Sequence, residues 1–163
     1  MNITLIGMPG SGKSFIGKKL AVKLGYGFID LDKVMEETYN LPLQQILDKE
    51  KERSFLQKQA EDAISHTAAI TNTVISPGGS IVYSEGAMEH LQSVSTIVYL
   101  EVPFHIIKQR IGLKPRGIVG LRNKTLTELY NERIRLYSKY ASLRVDGSND
   151  ASVVVQAIQR SLA

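Results

Sequence analysis

Eight residues near the start of the chain, Gly7, Met8, Pro9, Gly10, Ser11, Gly12, Lys13 and Ser14, match the pattern G-x-x-x-x-G-K-[ST] in full. At ordinary residue frequencies a chain of this length meets that pattern by chance about once in a hundred cases. The glycines let the backbone wrap a phosphate with its N–H groups turned inward, and a helix opening near Lys13 adds the positive end of its dipole. Lys13 is placed to reach the β- and γ-phosphates of a nucleoside triphosphate, and the Ser14 hydroxyl to ligate Mg²⁺. The bland counterpart is a glycine-rich strand-to-helix turn that holds no ligand.

A second constellation, Asp30 and Asp32, closes the next apolar run. In an open α/β sheet, ligands sit outside the carboxyl ends of the strands, which brings both carboxylates beside the glycine loop. If the strand continues through Asp32, the two point to one side, one toward the metal shell and the other toward an acceptor hydroxyl. The competing role for Asp32 is that of a helix cap.

The elements that must position these groups are legible as an alternation. Asn2 to Ile6 is a short β-rich run, and Ser14 to Leu24 carries apolar residues at helical spacing up to Gly25. Tyr26 to Ile29 reads as a second strand, with helical character from about 33 to 67 and a helix start at Pro42. Asn72 to Ser76 is a third strand ending in the Pro77, Gly78, Gly79 turn, and Ser84 caps a helix to about Leu91. Thr96 to Val102 is a strand buried on both faces, followed by a helix from His105 to Ile111. Residues 112–124 form a glycine- and proline-punctuated loop carrying four basic residues. Thr125 and Glu128 have capping-box spacing and open a helix to about Ser142; Leu143 to Val145 and Asp150 to Leu162 give a last strand and helix. Strands alternating with helices require crossovers, hence an α/β fold with a mostly parallel sheet covered on both faces.

Bulk properties limit the alternatives. A chain of 163 residues accommodates one domain, and 43% apolar with 22% charged residues is the balance of a soluble globular protein. The absence of cysteine excludes disulfides, thiolate zinc sites and a cysteine nucleophile, in keeping with a cytoplasmic setting. Met1 to Met8 has no basic leader, and no stretch reaches membrane-spanning length, so no membrane association is expected. The net charge of +4 is spread over helices and one loop without interleaved aromatics, which suits anionic small molecules better than nucleic acid. His66, His90 and His105 lack metal-site spacing.

Together these motifs resemble the shikimate kinase family over nearly the whole chain: the P-loop at Gly7 to Ser14, Asp30 and Asp32, the turn at Ser76 to Ser80, Arg116, the set Arg133, Tyr137 and Ala141, and finally Arg144, Val145 and Asp146. The resemblance implies a P-loop NTPase fold like that of the nucleoside monophosphate kinases, a three-layer α/β/α arrangement with a five-stranded parallel sheet. It implies a single domain over residues 1–163, with a substrate-binding helical segment at about 31–67 and a lid at about 112–124. It further implies transfer of a phosphoryl group from ATP, with Mg²⁺, to shikimate, by a protein expected to be a monomer. Gly10, Ser11, Gly12, Lys13, Ser14 and Phe15 then fall on the nucleotide, with Arg110 packing on adenine and the lid's Arg116 closing over the transferring group. Ser14 and Asp30 fall on the metal. Lys13, Asp32 and Arg116 are the catalytic set, and Asp32, Gly78, Gly79 and Arg133 hold the acceptor. Helix spacing independently favours Arg133, on one stripe with Tyr130 and Tyr137, over Arg135 for an inward role.

Two departures from the family pattern bear on the acceptor. A Phe-Arg pair in the substrate helix reads Phe55, Leu56, and a three-glycine turn reads Gly78, Gly79, Ser80. A bidentate arginine-carboxylate contact contributes about 1.5–3 kcal/mol, so its loss weakens a carboxylate acceptor roughly ten- to a hundredfold unless replaced. Arg53, one turn before Leu56, is the expected replacement. Otherwise the acceptor is another small alcohol, such as homoserine or a sugar acid. A nucleotide-binding module without chemistry is the reading from a different class.

Overall fold

The computed structural model describes residues 1–112 and 117–163. Five strands, β1 (Asn2–Ile6), β2 (Gly27–Asp30), β3 (Thr73–Ser76), β4 (Ser95–Glu101) and β5 (Leu143–Asp146), alternate with helices. These are α1 (Lys13–Leu24), α2 (Leu31–Tyr39), α3 (Leu43–Lys49), α4 (Glu52–Thr67), α5 (Glu85–Val94), α6 (Phe104–Ile111), α7 (Leu126–Tyr140) and α8 (Ala151–Leu162). The strands form one sheet in the order β2-β3-β1-β4-β5, every neighbouring pair parallel.

The alternation of strand side chains builds two cores. Ile6, Ile75, Ile97 and Tyr99 face a cluster with Met88, Leu91, Ile107, Leu129 and Tyr137. Ile3, Leu5, Val74, Val98, Leu100 and Val145 face the opposite cluster, with Ile16, Leu20, Val154 and Ile158. A third, smaller cluster of Met35, Ile46, Leu47, Phe55 and Val119 lies among α2, α3, α4 and the segment after Gly117.

Local expectations hold at the termini of several helices. Gly25 ends α1 in the left-handed conformation at φ 68°, Ser84 Oγ accepts from Ala87 N, and Thr125 Oγ1 accepts from Glu128 N at 3.2 Å. Two elements differ from the sequence reading, the first being a further break at Glu50 and Lys51 that divides α3 from α4. Residues Gly79–Tyr83 form a 3₁₀ turn with Ile81 N bonded to Gly78 O, which the apolar run there did not reveal.

Candidate active site

The loop from Gly7 to Gly12 joins the central strand β1 to α1. Gly10 and Gly12 adopt φ of 83° and 91°, values that L side chains resist, so the turn depends on glycine at both places. Gly12 occupies the position before α1 and offers no side-chain cap, which leaves the first N–H groups of the helix open to an external acceptor. The Ser11 hydroxyl is buried with no hydrogen-bond partner among the described residues. Lys13 is buried, its Nζ donating to Gly7 O at 2.9 Å and Met8 O at 3.0 Å across the loop.

The strand order sets Asp30 of β2 and Ser76 of β3 next to this loop. Ser14 Oγ donates to Asp30 Oδ2 at 2.7 Å and lies 3.3 Å from Ser76 Oγ. Asp30 Oδ1 accepts from the backbone N–H of Asp32 and Lys33, capping α2. The strand therefore stops at Asp30, and Asp32 is the second residue of a helix. Helix geometry, not strand alternation, brings Asp32 into the cleft, and the capping role considered for it belongs to Asp30. Burial in the cleft pushes the Asp32 carboxyl up from an ordinary value of 3.8 to about 6, with Asp30 and Glu36 adding to the rise and Lys13 opposing it.

These groups line an open cleft of about 860 Å³, bounded by the glycine loop, α1, the start of α2, Pro42 to Gln44, Ser76, Arg110 and residues 147–151. A second cavity of about 50 Å³ shares Pro9, Lys13, Asp32 and Leu43 with it and continues to Phe55, Gln59, Gly78 to Ser80, Gly117 to Val119 and Arg133. Lys13 and Asp32 thus stand at the junction of a large and a small compartment.

The small compartment is polar at its walls. Arg133 is 1% exposed, while Arg135 is exposed, as the helical stripe of α7 requires. Arg133 Nη2 donates to Val119 O at 2.7 Å, and Tyr137 Oη donates to Gly79 O at 2.7 Å. Opposite them, Gln59 is buried, its Oε1 accepting from Ser80 Oγ at 2.9 Å. That bond fixes the amide so that Nε2 lies toward Gly78, where a Cβ would stand 2.5 Å from Gln59 Nε2 and 2.6 Å from Asp32 Oδ1. Glycine at 78 is what lets a donor and an acceptor converge on one point.

Several sequence expectations fall elsewhere. Arg53 is exposed on α4 and lines neither cavity, so the proposed replacement for the missing arginine is corrected. Leu56 is also outside the cavity lining and packs against the third core cluster. Arg110 lines the large cleft and donates to Gly10 O at 3.0 Å. Phe15 borders the same cleft at 62% exposure with Lys19 Nζ 5.0 Å from its ring centroid. Arg116 lies outside the described residues. Of the segment expected as a lid, residues 117–122 rest on α3 and α4. Gly117 N donates to Gln44 Oε1 at 3.0 Å, Gly120 N to Glu52 Oε1 at 2.9 Å, and Arg122 pairs with Asp48 at 3.0 Å.

Gln59 and Ser80 escaped the sequence reading as a pair because they meet across 21 residues of chain. A shikimate kinase family model matches residues 9–163, nearly the entire chain. The chain belongs to the shikimate kinase family. A shikimate kinase from Gloeobacter violaceus is 32% identical over 167 residues, covering 100% of this chain and 93% of its own. One from Mycobacterium avium is 35% identical over 161 residues, covering 96% and 90%. The structure of the Acinetobacter baumannii shikimate kinase in complex with shikimate matches with a TM-score of 0.90 at 28% identity, covering 99% of this chain and 92% of that one. As a shikimate kinase family member the protein is a phosphotransferase with ATP as co-substrate, and the parallel sheet and glycine loop are those of a P-loop kinase.

Proposed function

We propose that the protein transfers the γ-phosphoryl group of ATP to a hydroxyl of shikimate. The observation that carries this reading is the shared wall of the two compartments, where Lys13 and Asp32 stand between a nucleotide-sized cleft and a pocket ending in a buried arginine. The glycine loop and the open N-terminus of α1 hold the phosphates, and Lys13 turns from its backbone carbonyls to the β- and γ-oxygens. In the small pocket, Asp32 accepts the proton of the attacking hydroxyl, Gln59 Nε2 donates to a neighbouring hydroxyl, and Arg133 takes the carboxylate. The acceptor oxygen bonds to the γ-phosphorus as its bond to the β–γ bridging oxygen breaks, and ADP leaves with the electron pair. Arg116 of the lid closes over the transferring group, which also keeps water from competing.

The residues suit a magnesium ion. Ser14 Oγ and Asp30 Oδ2 are hard oxygen donors 2.7 Å apart at the mouth of the glycine loop. Magnesium is commonly held by one or two protein oxygens, with waters and substrate phosphates as its other ligands. When bound, it neutralises charge on the β- and γ-phosphates. A single-domain, monomeric protein of the cytoplasm with no nucleic-acid or membrane partner completes the proposal. No described helix is long and apolar enough to cross a membrane.

The neutral Gln59 and Ser80 wall, with Arg53 exposed and outside both cavities, favours a second reading in which the acceptor is a different hydroxy acid. A coupled ADP-release assay with shikimate, homoserine and gluconate separates the two. Turnover of shikimate at a kcat/KM at least tenfold above the others, abolished by Lys13→Ala, is the expected result; preference for another alcohol overturns the shikimate assignment.

A further inference from the structure

Arg133 carries a charge into a site where it is almost wholly cut off from water, so its balance must come from nearby groups. Its chain neighbour Glu132 does not supply this by direct contact. Arg133 Nε instead donates to Tyr83 Oη at 3.2 Å, with the guanidinium carbon 5.2 Å from the Tyr83 ring centroid. Tyr83 Oη donates in turn to Glu132 Oε2 at 2.5 Å, and the other oxygen of Glu132 accepts from Lys124 Nζ at 2.6 Å. A relay therefore runs from an exposed lysine at the end of the 117–124 segment, through a carboxylate and a phenol, to the buried guanidinium.

The interposed phenol has a chemical consequence. A carboxylate forked directly onto Arg133 would occupy its donors and cancel its field at the pocket. A phenol accepts a single N–H and passes the balancing negative charge along one hydrogen bond further out. Burial and the bond to Glu132 push the Tyr83 hydroxyl up, so it keeps the proton that this bond requires, and Lys124 and Tyr83 together hold the Glu132 carboxyl below its usual range. Of the five guanidinium N–H groups, one is held by Tyr83 and one by Val119 O. Tyr137 also interacts with the guanidinium, and Arg133 still lines the small cavity. The ring of Tyr83 and the Val119 carbonyl fix the plane in which the remaining donors lie.

We propose that Tyr83 and Glu132 are positioning residues that aim Arg133 at the carboxylate of the acceptor while leaving its charge available. This rests on the acceptor reading given above. Because both act through Arg133, their effect is confined to acceptors that carry a carboxylate.

The test compares shikimate with its methyl ester as acceptors at saturating ATP. Tyr83→Phe keeps the ring and deletes the hydroxyl. It is expected to raise the shikimate KM about 5- to 20-fold, the range for weakening one charge-assisted contact, with kcat within twofold and ATP KM unchanged. The ester KM stays at the parent value. Glu132→Gln, which retains an acceptor for Tyr83 but drops the charge, shifts the shikimate KM in the same direction by a smaller factor. In an Arg133→Lys background, Tyr83→Phe adds nothing further. A merely structural role would move the ester and ATP constants as well, and that result, or an unchanged ratio of shikimate to ester KM, overturns the proposal. If the parent phosphorylates another hydroxy acid and not shikimate, the acceptor reading fails separately. The carboxylate and ester forms of that acceptor then give the same comparison, with an unchanged ratio again overturning the positioning role.

Discussion

Replacing Asp32 by asparagine should stabilise the unliganded protein while removing most of its activity, and the size of the stabilisation is fixed by pH. The Asp32 carboxyl is pushed up from 3.8 to about 6, so in the folded state the ionised form is disfavoured. Below the unfolded value both states hold the proton, and Asp32 costs nothing relative to asparagine. As the pH rises through 6, the unfolded chain is already ionised and the folded chain must follow at a cost. A rise of about two pH units corresponds to about 3 kcal/mol in full. Linkage distributes it as about 1 kcal/mol at pH 4.5 and about 3 kcal/mol at pH 8. For a domain of this length the upper figure is a rise of about 6–12 °C in thermal midpoint. Denaturant melts of parent and Asp32→Asn at several pH values give the curve, and kcat measured in parallel should fall about 10²- to 10⁴-fold with loss of the proton acceptor. The parent's kcat/KM should rise with pH through about 6, a limb missing from the residual activity of the variant. A stability difference independent of pH would refute the reasoning, since it would place the carboxylate in ordinary solvent.

Gly78→Ala sets a methyl group 2.5 Å from Gln59 Nε2 and 2.6 Å from Asp32 Oδ1, and both side-chain ends must swing away. Because Gln59 is buried and its amide is held by Ser80, moving it should cost about 1–3 kcal/mol of stability. Acceptor KM should rise at least tenfold, and ATP affinity by isothermal titration should stay put. Leu56→Arg places a charge where Leu56 packs against Met35, Ile46 and Phe55, so the thermal midpoint should drop, by about 1–3 kcal/mol of stability. The same variant should lower the shikimate KM if the longer side chain reaches the small pocket, and steady-state kinetics read both effects.

How much of this could be seen in the sequence depended on the range of the contacts involved. The glycine loop, the caps at Ser84 and Thr125, and the inward face of α7 at Arg133 are set by residues a few positions apart, and those readings agree with the structure. Asp30 and Asp32 stand out as a pair in the sequence, but which of them caps the helix depends on where β2 stops, and that follows from its pairing with β3 up to Ser76. Spacing along α4 points to Arg53, yet the face of α4 that meets the pocket is the one bearing Phe55 and Gln59. Gln59 meets Ser80 at a distance of 21 residues, and Tyr83 meets Glu132 and Arg133 at 49 and 50. No local pattern marks a glutamine or a tyrosine for such partners.

The segment after Gly117 is fastened to α3 and α4 through Gln44, Glu52 and Asp48 and by the burial of Val119. Those contacts offset part of the conformational entropy lost when the segment is ordered. On the proposed acceptor reading, affinity would be in part a property of side chains outside the pocket. A change at Glu52, which lines neither cavity, would leave every group in the pocket chemically intact and still weaken binding, because the acceptor would then have to order the chain for itself.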